Sequence, residues 1–227
     1  EHAARLFSLQ ELGNIYTRIN NPTTDVLEQR FAMMSGGKAA LALSSGTAAC
    51  FTAMINLCQQ GDNFVSARNL YGGTYTQVNN ILPQFGITAK FVDICDPKAV
   101  EAAIDDQTKA IFCESIANPG GVVIDLPALG AIAKKAGIPL IVDNTLATPY
   151  LCRPKEHGAD IVVHSLTKFI GGHGNSIGGI LVDCGTFDWL NAKHRYKTLV
   201  EPNESYNGMK LAETFGDFAF AIAARVM

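Results

Sequence analysis

Lys168 closes the segment Asp160-Ile161-Val162-Val163-His164-Ser165-Leu166-Thr167-Lys168, and Phe169-Ile170-Gly171-Gly172-His173-Gly174 follows it. The apolar, β-branched run at 161–163 reads as a buried strand, so two hydroxyls and a lysine fall where that strand ends. An amine at the mouth of a buried strand loses hydration, which favours its neutral, nucleophilic form. That is the form a Schiff base with an aldehyde requires. The glycines beyond it let backbone pass close to a ligand.

Three other segments carry chemistry of matching kind. Leu41-Ala42-Leu43-Ser44-Ser45-Gly46-Thr47-Ala48-Ala49 reads as a strand, a turn and the start of a helix. The free N–H groups and the dipole at that helix start suit a phosphate, and Gly46 has no side chain to block its approach; turn formation alone accounts for Ser and Gly there equally well. Ile138-Pro139-Leu140-Ile141-Val142-Asp143 ends an apolar run on a carboxylate. Asp143 is either the cap of the next turn or the partner of the protonated ring nitrogen of pyridoxal phosphate, where a negative charge keeps the ring an electron sink. In Asn69-Leu70-Tyr71-Gly72-Gly73-Thr74-Tyr75 an aromatic flanked by glycines can lie flat on a cofactor ring, or it can pack a helix entry. Lys168 alone would be a surface lysine. Ser165 and Thr167 are turn formers or phosphate donors, and His164 and His173 read as structural hydrogen-bonding residues.

The elements that must position these groups alternate. Strands are expected at 39–43, 63–67, 88–93, 109–114, 138–142, 161–163 and 179–182. Helices are expected at 47–57, 74–82, 96–104 and 126–135, after a first helix capped by Thr24 and ended by Gly36-Gly37. The α/β alternation with apolar strands implies a mostly parallel sheet with helices on both faces. Ligands bind such sheets beyond the carboxyl ends of the strands.

Composition narrows the field further. The 227 residues suffice for a large core, and a net charge of −3 argues against a general nucleic-acid binder. No apolar run spans a bilayer and no signal peptide is evident. Cys50, Cys58, Cys95, Cys113, Cys152 and Cys184 show neither CxxC nor zinc spacing. They read as free thiols of a reducing, cytoplasmic compartment. The chain opens on Glu1-His2-Ala3 and closes on Ala223-Ala224-Arg225-Val226-Met227, which reads as a helix still running. A piece of a longer protein is therefore expected.

Phosphate cradle, aromatic, carboxylate and lysine, in that order, resemble the fold-type I pyridoxal phosphate enzymes. Tyr16-Thr17-Arg18-Ile19-Asn20-Asn21-Pro22-Thr23 is similar to the Y-x-R-x-x-N-P-T motif of the Cys/Met-metabolism group. Further matches are Ser44-Ser45-Gly46, Tyr71-Gly72, Glu114-Ser115 with Asn118-Pro119, Val142-Asp143-Asn144-Thr145 and His164-Ser165-Leu166-Thr167-Lys168. The resemblance implies that Lys168 carries the cofactor and shuttles protons, and that Asp143 pairs with the ring nitrogen. It implies that Tyr71 stacks and assists the leaving group, and that Asn118 sits near the ring oxygen. Gly46, Thr47, Ser165 and Thr167 would hold the phosphate. Tyr16 and Arg18 would reach a neighbouring subunit's cofactor, so a homo-oligomer, dimer or tetramer, is expected.

Within the group, Asn14-Ile15-Tyr16, the run from Thr145 to Pro154, the run from Glu156 to Ser165, Phe169 to Gly174, and Glu201-Pro202 with Ser205-Tyr206 resemble O-acetylhomoserine sulfhydrylases. These join an amino-acid ester to sulfur from sulfide or a carrier protein, in methionine biosynthesis. Methionine γ-lyase and cystathionine γ-synthase share the scaffold. The γ-lyases usually carry Cys where this chain has Gly73. A non-catalytic α/β module binding a phosphorylated ligand is the alternative of another class. Residues 1–227 would be the large domain, with part of an N-terminal arm at 1–22 and without the smaller C-terminal domain that holds the substrate-carboxylate arginine. Arg225 is not assigned that role.

Overall fold

A computed structural model describes every residue except Leu9, Leu12, Lys193 and Met227. The strands are β1 (Ala39–Leu43), β2 (Asn63–Ala67), β3 (Thr88–Val92), β4 (Thr108–Glu114), β5 (Leu140–Asp143), β6 (Ile161–Ser165) and β7 (Gly179–Asp183). The α-helices are α1 (His2–Phe7), α2 (Pro22–Ser35), α3 (Gly46–Ile55), α4 (Gly72–Thr76), α5 (Pro97–Ala103), α6 (Leu126–Ala136), α7 (Thr148–Leu151), α8 (Lys197–Val200), α9 (Leu211–Phe215) and α10 (Ala219–Val226). Met227, the end of the helical stretch read from sequence, lies outside the described residues.

The strands form one sheet in the order β1-β7-β6-β5-β4-β2-β3. β7 runs antiparallel to both neighbours and every other pairing is parallel. Every residue of β2, β4 and β7 is buried. Successive strand residues point to opposite faces, so both faces of the sheet are covered. This is the doubly covered, mainly parallel α/β sheet expected from the strand–helix rhythm.

The boundaries that moved did so for local reasons. Asn21, not Thr24, caps α2: its Oδ1 accepts from the N–H of Thr23 at 2.9 Å and Thr24 at 3.4 Å, and Pro22 takes the first helical position. The expected helix 74–82 is an α-turn that widens to a π-turn over Gln77–Ile81 and tightens to a 3-10 turn before Gly86. β5 starts at Leu140 because the Ile138 N–H closes the end of α6 on Ala133 O at 3.1 Å. His164 is fully buried, edge-on to Phe31 with ring centroids 4.9 Å apart. Burial pushes its pKa down to about 3, opposed by the Asn144 backbone, so packing and the adjacent backbone together give it the structural role expected.

Arg225 has a structural task. Its guanidinium donates to Glu28 Oε2 at 2.6 Å, to Ile19 O at 2.8 Å and to Ala40 O at 3.2 Å. Glu28 Oε1 accepts the Ala42 N–H at 2.8 Å. One ion pair, between the half-buried Arg225 and the buried Glu28, therefore ties α10, α2, the edge strand β1 and the turn before α2. Removing one partner strands the other charge. Arg225→Ala should cost about 3 kcal/mol, read as a lower denaturant midpoint at unchanged slope.

Candidate active site

β1, β2, β4, β5 and β6 point their carboxyl ends to one edge of the sheet, and antiparallel β7 begins there. The residues following those strands enclose a cleft of about 590 Å³. Gly46, Thr47, Tyr71, Asn118, Asp143, Ser165, Thr167 and Lys168 all line it. Tyr16 and Arg18 do not. They lie on the exposed turn before α2, with the Arg18 guanidinium 5.7 Å from the Tyr16 ring centroid.

One end of the cleft is built for an anion. The Ser45 side chain caps α3 by accepting the Ala48 N–H at 3.0 Å, and the first rung of the helix is Ala49 N–H to Ser45 O. The amides of Gly46 and Thr47 precede that rung and belong to the orphan donors of a helix start. A Cβ on Gly46 would lie 2.5 Å from Ser165 Cβ, so only glycine lets the helix end sit this close to the Ser165 hydroxyl. Beneath it, a Cβ on Gly179 would lie 1.9 Å from Ser45 O. Gly179 is the register partner of both Leu43 and Ser165, and sequence reading had marked it only as a strand start. Thr167 differs from expectation: its hydroxyl donates to Gly178 O at 3.2 Å and accepts from Gly178 N at 3.1 Å. Its one O–H is committed within the loop.

The other end holds two carboxylates, Asp143 and Glu114, which are register partners on adjacent strands. Asp143 Oδ1 accepts from the Thr145 N–H at 3.0 Å and the Thr145 hydroxyl at 2.5 Å. The Cys50 thiol of α3 lies 3.6 Å from Oδ2. Desolvation raises the Asp143 pKa against these donors, so a cationic ring N–H would find a receptive charge there. Burial likewise pushes Glu114 up to about 7, opposed by the N–H groups of Tyr71 and Asn118. Thr145 also accepts the Ser165 N–H at 2.8 Å, linking the carboxylate end to the anion end. Thr145 stood in a quoted motif without a role, since only the folded strand order brings it to Ser165.

Two details qualify the sequence expectations. Lys168 is exposed on the cleft wall, so the residues of this chain do not strip it of water as a strand-mouth position suggested. A Cβ on Gly73 would lie 2.6 Å from the Tyr71 ring, so the absence of a side chain at 73 sets where that ring rests.

An anion cradle, a seat for a flat ring, a carboxylate and a lysine thus fit pyridoxal phosphate. The family described as Cys/Met metabolism PLP-dependent enzyme matches residues 1–216. The chain belongs to this family. The O-acetyl-L-homoserine sulfhydrylase of Leptospira meyeri is 50% identical over 234 residues, covering 100% of this chain and 52% of that protein. The homocysteine synthase of Schizosaccharomyces pombe is 51% identical over 226 residues, 99% of this chain and 53% of its own length. The crystal structure of a putative O-acetylhomoserine (thiol)-lyase from Campylobacter jejuni, with a pyridoxyl-lysine phosphate, superimposes with a TM-score of 0.95. It shares 44% identity and covers 99% of this chain and 55% of that one. The chain spans about half the length of the curated relatives it matches. It has the fold-type I architecture of these PLP-dependent enzymes.

Thr145→Val would leave the Ser165 N–H without its acceptor and remove a donor from Asp143. A loss of about 2 kcal/mol in folding stability is expected, measured by chemical denaturation, together with weaker pyridoxal phosphate binding.

Proposed function

We propose that residues 1–227 form the cofactor-binding large domain, with part of the N-terminal arm at 1–22, of a cytoplasmic O-acetylhomoserine sulfhydrylase. The reaction replaces the acetate of O-acetylhomoserine with sulfur, giving homocysteine: the Cγ–O bond breaks, a Cγ–S bond forms, and no net oxidation occurs. The observation that carries this reading is the meeting of Lys168, Asp143, Tyr71 and the α3 start in one cleft of a chain about half identical to named sulfhydrylases.

Bound pyridoxal phosphate supplies an electron sink for charge released at the substrate Cα. The residues of this chain do the rest. The Gly46 and Thr47 amides and the Ser165 hydroxyl hold the phosphate. Asp143, steadied by Thr145, keeps the proton on the ring nitrogen. Tyr71, on the cleft wall, would cover the ring and could assist the departing acetate with its phenol. Lys168 would hold the aldehyde carbon at rest and move protons at the substrate: the Cα proton leaves first, loss of a Cβ proton then releases acetate from Cγ, and protons return to Cβ and Cα after sulfur has added to Cγ. The sulfur donor is sulfide or a sulfur carried by a protein. Gly73 favours this reading over a γ-lyase, since a side chain there would displace the Tyr71 ring.

Assembly belongs to the same proposal. Tyr16 and Arg18 do not line their own cleft and would complete the phosphate site of a second copy. Val26 and Met33 on α2, with Tyr150 and Leu151 on the contacting α7, are exposed apolar residues that such a copy would cover.

The test supplies the full-length protein with O-acetylhomoserine, with and without sulfide. Sulfide-dependent homocysteine is expected; 2-oxobutyrate without sulfide would favour the γ-lyase reading. Lys168→Ala should lower turnover roughly 10³-fold or more, and near-normal turnover would overturn the assignment. Met33→Glu combined with Leu151→Glu should reduce the assembled mass in ultracentrifugation and weaken cofactor binding with it.

A further inference from the structure

Glu114 ends β4 in the floor of the cleft and is 5% exposed. Its two oxygens are divided between two loops. Oε1 accepts the Tyr71 N–H at 2.6 Å, and Oε2 accepts the Asn118 N–H at 2.9 Å. Tyr71 follows β2 and starts α4, where Tyr75 N–H bonds back to Tyr71 O at 2.8 Å. Asn118 lies beyond β4 in the turn closed by Gly121 N–H to Ala117 O at 2.7 Å. Neither loop contributes a strand at these points, so neither amide is held by the sheet ladder.

We propose that Glu114 is a positioning residue that clamps Tyr71 and Asn118 as one unit against the cofactor ring, in fixed relation to Asp143 on the adjacent strand. The inference rests on the proposed function for what Tyr71 and Asn118 touch, but the clamp itself is a property of this chain alone. Both partners are N–H donors, so the clamp needs two acceptor oxygens, and only a carboxylate offers both. A carboxamide has one acceptor and turns an NH₂ toward the other donor. An aspartate is one methylene shorter and reaches one loop at most. Charge-assisted bonds to backbone N–H are strong enough to offset part of the cost of burying the charge. A buried acid that served only to fill space would be better replaced by an apolar residue.

The experiment compares wild type, Glu114→Gln and Glu114→Ala in the full-length protein. Amide hydrogen exchange is read at Tyr71 and Asn118 without cofactor. Visible circular dichroism per bound pyridoxal phosphate, kcat and KM are read with it. Exchange should accelerate roughly tenfold or more at both amides in the alanine variant and at one of them in the glutamine variant. Lys168 still anchors the cofactor, so it should remain bound while its dichroism weakens and kcat falls more than KM rises. If the alanine variant does not fold, the single-amide signature of Glu114→Gln decides. Unchanged exchange at both amides overturns the clamp. Faster exchange with unaltered dichroism and kcat overturns its positioning role. A wild type that binds no pyridoxal phosphate overturns the proposed function, and the exchange data still decide the clamp.

Discussion

The site depends on one close approach, that of the start of α3 to the sheet edge where β1, β7 and β6 meet. Gly179 in β7 leaves room for the Ser45 carbonyl, and Gly46 leaves room for Ser165. A methyl group at either position would lift the helix off the sheet, because interiors this dense do not yield by an ångström. Lifting it would move the orphan amides of Gly46 and Thr47 away from the Ser165 hydroxyl. It would also withdraw Cys50, one turn further along α3, from Asp143. The anion end and the carboxylate end of the cleft are therefore not independent. α3 joins them from above, and the chain Ser165 N–H to Thr145 to Asp143 joins them through the strands.

The carboxylates show how this fold tolerates charge near its core. Two acids as register partners on adjacent parallel strands would repel, and burial raises both pKa values. Each is surrounded by donors: N–H and O–H from Thr145 and the Cys50 thiol at Asp143, two loop amides at Glu114. Burial is the largest influence on Asp143 and these donors only partly offset it, so a ring N–H would add a cationic donor where the carboxylate is least solvated.

Strand positions were legible because buried parallel strands are short apolar runs ended by polar residues. The seven expected strands appear within two residues at each end. The cleft residues were legible for the same reason, as they follow strand ends directly. What sequence did not disclose was tertiary. Gly179 reads only as a strand start and Thr145 only as part of the Val142–Thr145 motif; strand order places both beside Ser165. Thr24 precedes the first apolar residue of the helix, Val26, but the helix starts a turn earlier, at Asn21 and Pro22. Lys168 was expected to be dehydrated by its strand, yet the strand ends at Ser165 and the turn after it carries the lysine out to solvent.

That exposure also gives meaning to the Arg225 pair. A lysine and a phosphate cradle left open by one chain need cover from elsewhere, and the turn bearing Tyr16 and Arg18 is the segment proposed to supply it to a second copy. That turn is short and exposed. Within it, the N–H groups of Ile19 and Asn20 reach Tyr16 O, Asn20 Oδ1 accepts the Ile15 N–H, and the Asn20 and Asn21 side chains donate to Gly13 O and Thr17 Oγ1. Arg225 ties it to the core through Ile19 O, with the guanidinium itself held by Glu28. A buried ion pair adds little net stability over a well-packed apolar pair, but it fixes geometry at both of its ends. Here those ends are the sheet's edge strand β1, which leads into the α3 cradle, and the turn that would close a neighbouring cradle. One ion pair thus relates the part of the site a chain keeps to the part it would lend.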